Sequence, residues 1–135
     1  MNVLNEEQSM MVEAARRFVR EQIIAPRLDM ALDRSAEFPH AIIEAMWEQG
    51  LLNGEFPTEV GGAGLSCYDH TLVIEELNYG CLGIATSAIA NSLAALRLQL
   101  ADNEALRQKY LGGLVEKHGY AAYACSEPDA GSEQA

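Results

Sequence analysis

Twenty consecutive residues without a formal charge, Leu77 to Leu96, constrain the fold of this chain more than any other feature. A run of that length is what a bilayer span requires. Asn78, Gly80, Gly83, Thr86, Ser87, Asn91 and Ser92 interrupt it, however, and an apolar span does not carry so many polar and glycine positions. The run is therefore read as the end of one helix and most of another, the second spanning about Ile84 to Leu100 at the centre of a helical core. Rich in Ala and nearly uncharged until Arg97, this helix should have most of its circumference covered by other elements or by a ligand. No membrane span is expected.

The rest of the chain supplies helices to pack around it. Asn5 as N-cap with Gln8 three residues on forms a capping box that opens a first helix running to about Arg34. Met11, Ala15, Phe18 and Gln22 share one of its faces. Pro26 lacks an N–H and collides with the preceding turn, so a kink or break is expected near Ile24 and Ala25. A second helix begins with Pro39 at its first position, ends at Gly50, and buries Ile42, Ile43, Met46 and Trp47. Residues 50–66 hold five glycines and one proline and read as a loop packed through Leu52, Phe56 and Leu65. Ser66 with Asp69 caps a third helix, which turns Leu72, Val73 and Leu77 inward and stops around Gly80. The fifth helix starts at Asp102, carries Glu104 in its first turn and Lys117 and His118 in its last, and ends at Gly119. Leu106, Tyr110, Leu111, Leu114 and Val115 form its apolar face.

After Gly119 the pattern changes to the short aromatic YAAYAC and then the turn-forming SEPDAGSEQA. These read as a strand followed by a loop. The expected fold is all-α, a bundle of about five to six helices with a short terminal strand or loop. Residues 1–119 form the helical domain, and 120–135 begin a second, β-rich domain.

Charge and cysteine content narrow the function classes. Nine Lys and Arg against 20 Asp and Glu leave a net charge of -11, which repels nucleic acid and anionic membrane surfaces. Cys67, Cys81 and Cys125 are odd in number and lack any zinc-type spacing, so they read as reduced thiols in the cytoplasm and no metal is expected. The amino terminus shows neither a basic leader nor an apolar core typical of export signals.

Few residues point to chemistry by themselves. His40, His70 and His118 have no obvious helpers in the sequence, and structural roles are preferred for all three. Glu75 and Glu76 are adjacent on a helix, so their side chains diverge by about 100° and at least one faces solvent. Gly61, Gly62 and Gly64 lack the GK[ST] and the preceding strand of a phosphate loop, and turn geometry accounts for them better. In the tail, Ser126, Gly131 and Ser132 place hydroxyl and backbone donors close together, with Pro128 stiffening the turn. That arrangement suits either an ordinary loop or an anionic or carbonyl-rich cofactor.

Several motifs, in order, resemble those of the acyl-CoA dehydrogenases. Ala122 to Glu133, AYACSEPDAGSE, resembles the family signature AYCVTEPGAGSD. Phe56 to Leu65 is similar to its IPEEYGGLGL loop, Ile74 to Leu77 to its SEELA helix, and Lys109-Tyr110-Leu111 to its KYLP or KYLG segment. The opening NEEQ and the II-AP break also resemble the family's first helix, so the likeness covers nearly the whole chain.

The resemblance implies an amino-terminal helical domain plus the first strand of a middle β domain, in an FAD enzyme that converts acyl-CoA thioesters to trans-2-enoyl-CoA. It implies FAD contacts from Tyr123, Cys125, Ser126, Gly131 and Ser132, with Ser132 also at the acyl-CoA. Ile89, Ala90 and Leu93 would line the acyl cavity, a role that competes with simple core packing. The family's catalytic carboxylate usually lies far downstream, so no residue here is assigned as base and the chain alone is expected to be inactive. An electron-transfer acceptor and a homo-oligomer are further implied partners. Asp129 stands where the family usually has Gly, and Glu133-Gln134 where it has Asp-Val, which brings negative charge towards the expected pyrophosphate. An acyl-CoA oxidase or flavin monooxygenase would share these features. Outside the enzyme class, the alternative is a helical acyl-binding or self-association module.

Overall fold

In a computed structural model the described residues are 4–28, 37–129 and 131. Helix α1 (Glu6–Phe18) runs through a π-helical segment, Val19–Ile24, into α2 (Ala25–Leu28). After α3 (His40–Glu48), a 3₁₀ turn (Thr58–Val60) interrupts the loop that leads to α4 (Cys67–Gly80) and α5 (Leu82–Leu100). Helix α6 (Glu104–Arg107) passes through a second π segment, Gln108–Gly112, into α7 (Gly113–Glu116). The protein is an all-α bundle, as its sequence predicts.

Local chemistry explains the starts. Asn5 accepts from the Gln8 amide while the Gln8 side chain accepts from the Asn5 amide, completing the capping box. The Ser66 hydroxyl accepts from the Asp69 amide and donates to the Asp69 carboxylate at 2.6 Å, and Gln8 donates to its other oxygen at 2.8 Å. These bonds, the Ser66 hydroxyl foremost and then Gln8, hold the Asp69 carboxyl below its ordinary range. One cap thus also pins α1 to α4.

The break foreseen at Pro26 takes the form of the π segment. The Ala25 amide reaches back to the carbonyl of Arg20, which widens the turn just before the proline ring and removes the collision without ending the helix. The extra residue rotates the apolar face. Val19 and Ile23 are buried and Gln22 is exposed, so the face is Ala15, Phe18, Val19 and Ile23 rather than the one that includes Gln22.

Helix α1 packs along α4, and α4 along α5. Phe18, Ile23, Ile43, Met46, Leu77 and Ala85 belong to the main core cluster, while Phe56, Val60, Ala95 and Leu111 form a second one under the loop. Pro39 occupies the N-cap of α3 rather than its first turn, and Gly50 follows the helix with φ +66°, the left-handed value expected there.

Three expectations are corrected. The last helix is capped by Asn103, whose side chain accepts from the Leu106 amide, and it stops at Glu116, with His118 at φ 48° taking the left-handed position expected of Gly119. Of its predicted apolar face Leu111 is fully buried and Leu114 and Val115 pack on the second cluster, whereas Leu106, ahead of the second π segment, and Tyr110, within it, are exposed. Residues 120–126, with alternating exposure, form no strand, and the adjoining Glu127 makes a single bridge.

Candidate functional site

Helix α5 presents two faces. Ala85, Ala88, Asn91 and Ala95 are buried, while Leu93 and Leu96 are each 50% exposed and Leu100 is 78% exposed. Its circumference is therefore only partly covered. Ile89, Leu93, Leu96 and Leu100 follow one another at spacings of four, three and four residues, which places them in a single stripe. Ile89 and Ala90 are half-buried at its edge, so the three positions considered for an acyl cavity fall together on the uncovered side. Leu96 and Leu100 extend the stripe, and sequence reasoning missed them. The Thr86 and Ser87 hydroxyls bond the carbonyls of Leu82 and Gly83, which leaves the stripe without those donors.

The tail runs along the same helix. Gly119 accepts from Asn91 Nδ2 at 3.0 Å, and the Ala121 amide donates to Asn91 Oδ1 at 2.7 Å. Further along, the Arg97 guanidinium donates to the Tyr123 hydroxyl and lies 4.6 Å from the centre of its ring. Exposure then alternates from Tyr120 to Ser126, with Ala121, Tyr123 and Cys125 half-buried and Tyr120, Ala122, Ala124 and Ser126 exposed. The tail residues considered for a cofactor are thus divided. Tyr123 and Cys125 face the protein, Ser126 and Gly131 are open, and Ser132 lies outside the described residues.

These positions fit a flavin segment in one respect. The Ser126 hydroxyl has no hydrogen-bond partner among the described residues, and a Cβ at Gly131 would meet nothing within 4 Å. Ser126 follows directly on a segment held at Gly119, Ala121 and Tyr123, so a ligand would meet a preplaced hydroxyl there. Exposed Glu127 and Asp129 stand between Ser126 and Gly131 and bring negative charge to the same loop.

Other clusters resolve structurally. Arg16 binds Glu76 through two bonds, of 2.6 and 3.2 Å, and the bonded carboxylate raises the Arg16 pKa above its ordinary value. Glu76 is thereby committed, while Glu75 is exposed in a cleft of about 360 Å³ lined also by Arg20, Ile24 and Tyr79. No residue of the tail lines that cleft. The amides of Gly61, Gly62 and Gly64 donate to the carbonyls of Thr58, Pro57 and Phe56, which leaves those three with no proton for a phosphate. Two histidines do have helpers. His70 Nε2 lies 3.3 Å from Glu55, and His118 bonds Glu44 while stacking on Trp47 with ring centres 5.0 Å apart. Both pairs tie distant parts of the chain together. Among the described residues no group of three or more potential metal ligands occurs, and no helix is long and apolar enough to cross a membrane.

The fold class is shared by solved structures. A chain from work on the electron transferring flavoprotein of Acidaminococcus fermentans superposes over 98% of this chain and 35% of its own, with a TM-score of 0.83 and 29% identity. Glutaryl-coenzyme A dehydrogenase in complex with glutaryl-CoA matches with a TM-score of 0.81 and 25% identity over 98% of this chain and 34% of its own.

The model of the acyl-CoA dehydrogenase N-terminal domain matches residues 5–118, and the chain belongs to that family. It is 38% identical over 130 residues to the protein of Caenorhabditis briggsae named probable medium-chain specific acyl-CoA dehydrogenase 2, mitochondrial, which covers 96% of this chain and 31% of the relative. Isovaleryl-CoA dehydrogenase, mitochondrial, of Pongo abelii is 35% identical over 98% of this chain and 32% of its own length. The chain thus spans about a third of the relatives it matches.

Proposed function

We propose that this chain forms the amino-terminal wall of an FAD-dependent acyl-CoA dehydrogenase site, in which α5 faces the acyl chain and the tail faces the flavin. The observation that carries the reading is their common support: the apolar stripe of α5 and the tail are held on one helix, through Asn91 and Arg97. Ile89, Ala90 and Leu93, continued by Leu96 and Leu100, offer the acyl chain an apolar surface. Ser126, Gly131 and Ser132 would hold FAD through hydroxyl and backbone donors, with Ser132 also at the thioester. Tyr123 and Cys125 contribute through their backbone while their side chains fix the segment.

The flavin, when bound, supplies hydride acceptance from the β carbon of the thioester. This chain's residues orient the acyl chain, exclude water from it and place donors, and none of them is assigned as the base. Turnover therefore needs a carboxylate from another part of the protein, and a domain beginning at residue 120 would supply the rest of the flavin site. A flavoprotein electron acceptor, homo-oligomeric assembly and a cytoplasmic, reducing setting with Cys67, Cys81 and Cys125 unpaired complete the reading.

Nuclear magnetic resonance of the labelled chain tests it. FAD should shift the amides of Tyr123, Cys125, Ser126 and Gly131, and an acyl-CoA should shift Ile89, Ala90 and Leu93. Ligand concentrations in the millimolar range that leave both sets unmoved would refute the assignment. With FAD, acyl-CoA and an electron-accepting dye the chain alone should give no reduction, and turnover would overturn the external base.

A further inference from the structure

We propose that Asn91 sets the register of the flavin-facing segment by standing in for a residue of a neighbouring strand. The proposal rests on the flavin reading above and adds a positioning residue to it. Asn91 is 3% exposed between Ala88 and Ala95 on the covered face of α5. A carboxamide buried in such surroundings is costly unless both its ends are bonded.

Both are, and to a specific pair. In an extended segment the carbonyl of one residue and the amide two residues on point to the same edge. A parallel neighbouring strand engages that pair with the N–H and C=O of a single residue. Asn91 Nδ2 donates to Gly119 and Oδ1 accepts from Ala121, so one side-chain amide makes the bonds of a strand neighbour opposite Tyr120.

The spacing along the helix agrees. From Asn91 to Arg97 α5 rises about 9 Å. From Tyr120 to Tyr123 an extended chain advances about 10 Å. The two axial advances match, and Arg97, about 120° round the helix from Asn91, meets Tyr123 three residues past the pairing.

Register matters because exposure alternates along residues 120–126. A slip of one residue would turn Tyr123 and Cys125 outward and Ser126 inward. Asn91 thus decides that the Ser126 hydroxyl is presented. Leu at this position removes both bonds. Asp as a carboxylate keeps the acceptor for Ala121 but loses the donor to Gly119, and protonation restores that donor in an isosteric group.

Amide hydrogen exchange in the full chain reads the register directly. In Asn91→Leu the Ala121 amide should exchange about tenfold faster, the loss of one hydrogen bond, while the amides of Leu77 and Leu111 keep their native rates. In Asn91→Asp the deficit in melting temperature against the native chain should shrink as pH falls. Equal Ala121 exchange in the native chain and Asn91→Leu overturns the proposal, and so does an Asn91→Asp deficit that ignores pH, which also decides the matter should Asn91→Leu not fold. FAD-induced shifts at Ser126 should vanish in Asn91→Leu, and their persistence refutes positioning. A native chain indifferent to FAD removes the flavin from the reading, while the exchange result still judges the register.

Discussion

Replacing Gly62 by alanine should unseat the loop that covers the second core cluster. An ideal Cβ at this position would lie 2.0 Å from the Phe56 carbonyl oxygen, 2.4 Å from its carbon and 2.5 Å from the Phe56 Cβ. Real Cβ contacts do not fall below 3.0 Å, so the two backbones must separate by roughly 1 Å. The carbonyl cannot yield freely, because it accepts from the Gly64 amide at 2.9 Å while Gly62 donates to Pro57 at 3.0 Å. Phe56 is fully buried beside Ala95 and Leu111, so any retreat also loosens that cluster. Overpacking costs about 1–3 kcal/mol, and a broken loop hydrogen bond adds about 1. The expected loss is about 2–4 kcal/mol. That corresponds to a drop of about 10 °C in melting temperature for a domain of this size. Gly50→Ala is the control: nothing lies within 4 Å of its Cβ, and only the φ of +66° opposes a side chain. Left-handed backbone alone costs about 1–2 kcal/mol. Equilibrium unfolding in urea at constant slope measures both. If Gly62→Ala costs no more than Gly50→Ala, the close approach of the two backbones is not what demands glycine.

Three further outcomes can be checked. Phe18→Ala empties a site that is 2% exposed and should cost about 3–5 kcal/mol in urea unfolding. Ser66→Ala removes the cap of α4 and should cost about 1 kcal/mol by the same measure. The folded-state pKa of Asp69 is lowered by Ser66 and then Gln8, so its stabilising contribution is present above the unfolded carboxyl pKa and is lost as pH falls through the folded one. Gln8→Ala should flatten that loss in a series of acid titrations followed by circular dichroism, and an unchanged acid limb would refute the linkage.

Much of the fold was legible where chemistry is local. Asn5, Gln8, Ser66 and Gly50 act through groups a few residues away, so their caps and turns were readable from the chain. The faces of the first and last helices were not, because each π segment inserts a residue and rotates everything after it. A period of 3.6 therefore pointed to Gln22 where Ile23 is buried, and on the last helix it added the exposed Leu106 and Tyr110 to Leu111, which is buried as predicted. His70 and His118 looked unassisted because Glu55 and Glu44 come from distant segments. The tail motif was visible, but not its support: Asn91 lies 28 residues from Gly119 and 30 from Ala121, and nothing near it in sequence announces the pairing.

The central helix shows why a charge-free segment resists reading. Periodicity locates a core by contrast between apolar and polar faces, and α5 offers almost none before Arg97. Size is the contrast it does carry. The covered side holds Ile84, Ala85, Ala88 and Ala95 with Asn91, and Leu98 packs on the second cluster, whereas Leu93, Leu96 and Leu100 look outward. Small side chains let the backbone of α5 approach its neighbours closely, and the same closeness brings the Asn91 amide within reach of the tail. In α5 the exposed leucines therefore form an apolar stripe on the side away from Asn91, which holds the tail on the covered side.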